Sequence, residues 1–268
     1  MMKRATLLLL PTLLLFAGCN IGPSSRGSFQ RDLQVNGKVD LQLESGAGTI
    51  TVHTGDVHQV SIDAHIRARS SWGTSGEAKI RELEKNPPIE QTGNSIRVGH
   101  IEDSKLRQDV RIDYDLIVPP QTQLTTTTGA GNQRIHGLEL PVQARSGAGN
   151  ITVEECTGDA RLETGAGSID VKGTDGALDL ESGAGSVNVH GTPKHDWHVR
   201  VGAGSIHLKV PRASSFDLDA SSGFGAVSIA GGFKVDGAVS SRRVQGKVGN
   251  GGPTVELNSG AGTISIDD

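Results

Sequence analysis

A tetrapeptide, Ser/Thr-Gly-Ala-Gly, recurs along this chain, and its spacing constrains the fold more than any other feature. It begins at Ser45, Thr128, Ser146, Thr164, Ser182 and Ser259, with variants at Val201-Gly202-Ala203-Gly204 and Ser222-Gly223-Phe224-Gly225. In the central run the first glycines, Gly129, Gly147, Gly165, Gly183 and Gly202, lie 18, 18, 18 and 19 residues apart. A second glycine follows each: Gly131, Gly149, Gly167, Gly185 and Gly204. Aliphatic–polar–aliphatic pairs recur at half that interval, as Ile151/Val153, Ala160/Leu162, Ile169/Val171, Leu178/Leu180 and Val187/Val189. Alternation of this kind marks short strands with one buried face. A strand of about five residues plus a corner of about four fills each half period. No such unit buries its apolar face alone, so the units must stack. The expected fold is all-β: a β-solenoid, or β-helix-like stack, of 18-residue coils with Gly-rich corners and two strands per coil. Successive coils should sit ~4.8 Å apart. Glycine gives such corners φ > 0 at no steric cost, and the intervening alanine is expected inside the turn.

The chain has 37 glycines among 268 residues, about twice the average usage of ~7%. Without a triplet period they are not collagen-like, and with no Lys-Ser/Thr after them they are not phosphate cradles. Residues 37–124 are less regular than 125–268. Val60 to Ala68 and Val110 to Val118 alternate as longer strands, the second stopped by Pro119-Pro120. Between them, Ser75 caps one short helix that runs to Lys85 and is closed by Pro87-Pro88. Longer strands with a helical excursion suit a wider first coil or terminal cap, so 37–268 is expected to be a single domain.

The N-terminus carries an export pattern. Lys3 and Arg4 precede a 13-residue, mostly apolar run from Ala5 to Ala17. That is too short to span a bilayer, which needs ~20 residues, and it fits a signal-peptide core over residues 1–18. Phe16-Ala17-Gly18-Cys19 resembles the lipobox of bacterial lipoproteins, although Phe16 stands where that motif carries an aliphatic residue. The resemblance implies that Cys19 is the lipidated first residue of the mature chain and that the partner there is a membrane. Asn20 points to the outer rather than the inner membrane. Cleavage would remove Lys3 and Arg4, taking the net charge from −4 to −6. Residues 19–36, with Gly22-Pro23-Ser24-Ser25-Arg26-Gly27-Ser28, are expected to form a flexible tether.

The repeating [ST]-GAG-x-[IV]-x-[VI] motif resembles the bacterial putative-adhesin domain family of unknown function, over about residues 38–267. That resemblance implies a β-strand repeat in exported or envelope proteins, without an established enzyme activity or defined functional residues.

Several side-chain groups invite chemistry. Coil alignment puts Arg145, Glu163, Glu181 and Arg200 in one outward column; the arginines should hold both carboxylates ionised, which suits an ion ladder better than a glycosidase pair. A second column, Thr152, Asp170, Asn188, His207 and Ser228, is the candidate binding face, polar enough for glycan hydroxyls or a partner protein. His190, His195 and His198 invite a zinc reading, but they straddle a corner and are not expected to converge. Only Asp170 among the corresponding strand positions carries a carboxylate, so a calcium ladder is not expected. Cys156, beside Glu154 and Glu155, has no basic neighbour to make a thiolate. No catalytic residue, metal site or cofactor is expected. The absence of a basic stripe and an aromatic content of 3% argue against nucleic acid. The expected function is therefore a non-catalytic, adhesin-like binding or scaffold role in an envelope lipoprotein, facing either the periplasm or the surface. Its alternatives are a periplasmic stress or regulatory scaffold and a carbohydrate-active β-helix enzyme. The segment Ile264-Ser265-Ile266-Asp267-Asp268 is expected to be an open final edge for β-augmentation.

Overall fold

The structure, a computed structural model, describes residues 24–55, 58–70 and 73–268. The signal segment 1–18, Cys19 and the first part of the expected tether lie outside the described residues. The chain enters through β1 (Ser24–Gln34), and β2 (Val39–Ala47) and β3 (Ile50–Thr54) form a first coil. An excursion follows: β4 (Gln59–Arg69), α1 (Gly76–Lys85), the hairpin of β5 (Ile89–Thr92) and β6 (Ser95–Val98), one turn of α2 (Ser104–Arg107), and β7 (Val110–Val118). Regular coils come next. They pair β8 (Thr122–Ala130) with β9 (Gln133–His136), β10 (Val142–Ala148) with β11 (Ile151–Glu154), and β12 (Ala160–Ala166) with β13 (Ile169–Lys172). Two more pair β14 (Leu178–Ala184) with β15 (Val187–His190) and β16 (Trp197–Ala203) with β17 (Ile206–Lys209). The chain ends with β18 (Phe216–Phe224), β19 (Val227–Ile229), the hairpin β20 (Val235–Val239) and β21 (Arg243–Val248), then β22 (Thr254–Ala261) and β23 (Ile264–Asp267).

These strands form two facing sheets. One has eleven strands in the order β1-β4-β7-β3-β9-β11-β13-β15-β17-β23-β19; the other has twelve, in the order β20-β21-β18-β22-β16-β14-β12-β10-β8-β2-β6-β5. Through the centre all pairing is parallel and in register, so Ile151, Ile169, Val187 and Ile206 form one buried row. Ala144, Leu162, Leu180 and Val199 form the row facing it. This is the expected solenoid: like stacks on like, because each coil is a copy of the one before.

The tetrapeptide is explained by this stacking. Its Ser or Thr points inward and donates to the carbonyl of the second glycine of the adjoining coil: Thr164 to Gly149 at 2.9 Å, Ser182 to Gly167 at 3.0 Å, Ser259 to Gly204 at 3.0 Å. The two glycines are required for different reasons. The second has positive φ, as at Gly167 (150°) and Gly185 (145°). The first, contrary to expectation, has no positive φ; it is excluded from bearing a side chain by close approach. A Cβ at Gly183 would lie 2.5 Å from the Gly165 carbonyl oxygen. The alanines between them also differ from expectation: Ala148, Ala166, Ala184 and Ala203 face solvent.

Two further expectations are corrected. Residues 24–34 are not tether but β1, paired antiparallel with β4 along its whole length. Helix α1, capped by Ser75 Oγ accepting from the Ala78 amide at 3.1 Å, packs on β1 and β4. It comes so near that a Cβ at Gly27 would meet Ile80 Cγ2 at 2.2 Å. The loop-like composition of β1 reflects this fit, and Phe29 anchors it in the core. The C-terminal segment is not an open edge either. β22 lies between β16 and β18, and β23 between β17 and β19, so both sides of the last coil are paired. The chain builds β18 and β19 first and then returns to fill the gap beneath them.

Candidate functional site

The sequence-predicted binding face lies on the eleven-stranded sheet. Thr152, Asp170, Asn188 and His207 are direct neighbours across successive strands, as expected. Ser228 is not the next residue: the inserted β23 puts Ser265 between His207 and Ser228. Arg134 extends the row on the other side of Thr152. Asn188 Nδ2 donates to Asp170 Oδ1 at 2.6 Å, which ties these two neighbours together. A parallel row carries Glu154, Lys172, His190 and Lys209, with Lys172 paired to Glu154 at 3.1 Å.

The opposite face, on the twelve-stranded sheet, holds a more elaborate arrangement. Arg145, Glu163, Glu181 and Arg200 form the expected column, but it does not act alone. A neighbouring column of Gln143, Arg161, Asp179 and His198 interlocks with it. Glu163 accepts from Arg145 at 2.9 Å and from Arg161 at 2.9 Å; Arg161 reaches Asp179 at 3.1 Å, and Asp179 reaches Arg200 at 3.6 Å. The result is a zigzag of alternating charge over four coils. Hydrogen bonds from Arg145 and Arg161 hold the Glu163 carboxyl below its ordinary pKa. A carboxylate held ionised in this way is a poor general acid.

Beside this zigzag is an open groove of about 550 Å³, floored by the edges of the core and walled by Gln143, Arg161, Asp179, Asp196, His198 and Arg200. Sequence reasoning found the first column and missed the groove, because Arg161 and Asp179 were not aligned as a column of their own. The signal was present: they lie at equivalent positions of adjacent 18-residue periods.

The remaining candidates do not converge. His190 is exposed at the end of β15, His195 is exposed on the corner that follows, and His198 on β16 faces Glu256 at 3.7 Å on another strand. Among the described residues no group of three His, Cys, Asp or Glu side chains is placed to hold a metal ion. Cys156 is buried, and burial raises its thiol pKa. Tyr114, in edge contact with Phe29 with ring centroids 6.5 Å apart, is likewise pushed up by burial.

The fold and these faces define a class of protein: a two-sheet β-solenoid displaying ordered rows of polar side chains. The chain belongs to the Toastrack DUF4097 family, whose model matches residues 119–267. This agrees with the resemblance carried by the Gly-Ala-Gly motif. Among solved structures the chain is similar to a putative cell adhesion protein from Clostridium sporogenes, at 15% identity and a TM-score of 0.41, covering 91% of this chain and 99% of that one. It is also similar to a putative adhesin from Bacteroides fragilis, at 14% identity and a TM-score of 0.43, covering 90% and 98%. No curated protein matches.

Proposed function

We propose that this chain is an exported, lipid-anchored envelope protein with a non-catalytic, adhesin-like binding role, its ligand lying along the groove of the twelve-stranded sheet. The observation that carries this reading is the Arg145–Glu163–Arg161–Asp179–Arg200 zigzag. It holds charged groups rigidly along an open groove at a repeat of ~4.8 Å, a geometry suited to an extended polar polymer such as a glycan. Paired guanidinium and carboxylate groups keep spare hydrogen-bonding positions for hydroxyls. The row Thr152–Asp170–Asn188–His207 is the weaker candidate, being flat rather than grooved.

Three experiments test the proposal. Fatty-acid labelling in the native host should mark the wild-type protein and fail on Cys19→Ala; label retained on that variant removes the anchor. Binding to envelope glycans should be lost in Arg161→Ala/Asp179→Ala/Arg200→Ala and kept in Asp170→Ala/Asn188→Ala/His207→Ala. The opposite outcome moves the site to the other face, and unchanged binding in both rejects a face-binding role. Depolymerisation of a polysaccharide by the purified protein would overturn the non-enzymatic reading.

A second reading, a scaffold that meets protein partners, is favoured by the end of the stack. β20 is a sheet edge, Val239 on it is 65% exposed, and nearby Phe224 is 81% exposed. Val239→Lys should release a partner docked by β-augmentation there without affecting glycan binding.

A further inference from the structure

At the far end of the molecule from Phe224, three arginines face one another across three adjacent strands. Arg26 on β1 is the direct partner of Arg67 on β4, and Arg67 is the direct partner of Arg111 on β7. Arg69 stands next to them, opposite Ser24, the first described residue. All four are exposed, and they surround a depression of about 410 Å³. Like charges placed directly opposite each other across strands are destabilising, so this row is costly to the fold. Only part of it is neutralised: Asp113 accepts from both Arg67 and Arg111, the latter at 3.4 Å. Burial opposes ionisation of Asp113, but the Thr49 amide and the two guanidinium groups prevail and lower its pKa. Asp109 also lines the depression. Among the described residues neither Arg26 nor Arg69 has an ion-pair partner.

The position of this patch matters as much as its charge. Resting on the lipid-anchored reading above, Cys19 is the attachment point, and four residues, Asn20 to Pro23, separate it from Ser24. The five residue steps from Cys19 to Ser24 span at most about 18 Å when fully extended. Because β1 is a paired strand rather than tether, no further slack exists between the anchor and the folded body. Ser24 is opposite Arg69 and two residues from Arg26, so the short tether lets both arginines reach the membrane surface, where headgroup charge is felt within a Debye length of ~8 Å. Guanidinium forks match phosphate oxygens in pairs.

We infer that the Arg26–Arg67–Arg111 row with Arg69 is a second membrane contact, binding the phosphates of anionic lipid headgroups and holding the solenoid in a fixed orientation over its anchor.

The test removes the anchor so that only the patch is read. The chain from residue 19 onward carrying Cys19→Ser keeps every described element. It is mixed with vesicles of phosphatidylcholine alone or with about 30% phosphatidylglycerol, whose charge attracts basic groups near the surface. Flotation should recover the protein with the anionic vesicles only, and about 0.5 M NaCl should release it. Arg26→Gln/Arg69→Gln, which leaves both Asp113 pairs intact, should lower the partition coefficient roughly tenfold or more, at about fivefold per arginine. Arg242→Gln/Lys247→Gln, two exposed basic residues at the other end of the stack, should leave it unchanged. Equal flotation with neutral vesicles, no loss in the Arg26/Arg69 variant, or full displacement by a few millimolar inorganic phosphate each overturns the proposal; the last outcome marks a small-anion site instead. Because the assay contains no acyl chain, its failure is independent of the fatty-acid labelling result.

Discussion

Between β8 and β17 every strand lies parallel to a near-copy of itself one coil away, whereas β1, β4 and β7, unrelated in sequence, pair antiparallel with one another. The difference decides what a residue's neighbour is. In the coils the neighbour is the same motif position, so a side chain must be compatible with its own repetition. Glycine therefore stacks on glycine, and Ser or Thr reaches the adjoining glycine carbonyl. Charged columns there are balanced diagonally, as Arg161 is between Glu163 and Asp179. In the antiparallel extension no such repetition applies, and Arg26, Arg67 and Arg111 come face to face. The stack is a solution found once and copied; the extension is a set of individual fits, such as Ile80 over Gly27.

Mutations separate the two regimes. The largest effect is expected where a coil departs from its neighbours. Trp197 is 1% exposed, sits in register between Leu178 and Val255, and donates from its ring nitrogen to the Gly176 carbonyl at 3.3 Å. Trp197→Ala should cost about 3–5 kcal/mol in urea unfolding, because its cavity is walled by rigid neighbouring coils. A loss near 1 kcal/mol would mean that the stack collapses readily around gaps.

Next is a pair of glycine substitutions. Gly185 combines φ of 145° with a Cβ position 2.0 Å from the Gly167 carbonyl oxygen, while Gly93, in the β5–β6 turn, has φ of 60° and open space. Gly185→Ala should cost on the order of 3 kcal/mol, backbone strain and clash together. Gly93→Ala should cost about 1 kcal/mol, from strain alone. Equal midpoints for the two variants would show that stacking distance does not set the requirement.

Acid titration reads smaller terms. Asp113 and Glu163 both have lowered folded pKa values, so each contributes stability that is complete above the ordinary carboxylate range and disappears as pH falls through the folded value. Wild-type stability should therefore fall below about pH 4.5, the ordinary value for Glu163. Asp113→Asn should flatten that fall more than Glu163→Gln, since Asp113 is the less exposed of the two and also accepts from the Thr49 amide. Half-exposed pairs of the Glu163 kind are worth less than about 1 kcal/mol. A steeper acid transition in either variant contradicts the assignment. At the bottom of the scale, Glu181→Ala should change stability by less than about 0.5 kcal/mol at neutral pH.

The sequence by itself determined the coil. An 18-residue period of glycine pairs and alternating aliphatics has one economical solution, and the register of Ile151, Ile169 and Val187, the outward columns, and α1 with its Ser75 cap were all legible from spacing. Three things were decided only by the tertiary structure. The order of coils is one: every coil presents the same apolar rows, so nothing local says that β22 and β23 should pack under β18 and β19 rather than beyond them, and Ser265 thereby separates His207 from Ser228. The second is β1, whose Ser, Arg and Gly residues carry no strand period because α1, distant in sequence, covers its inner side. The third is the groove beside Arg161 and Asp179, which exists because two columns of unlike charge interlock diagonally. Periodicity encodes what a residue shares with its copies. Pairing between segments that are not copies depends on shape and charge meeting across the fold, and that information is written in no single stretch of chain.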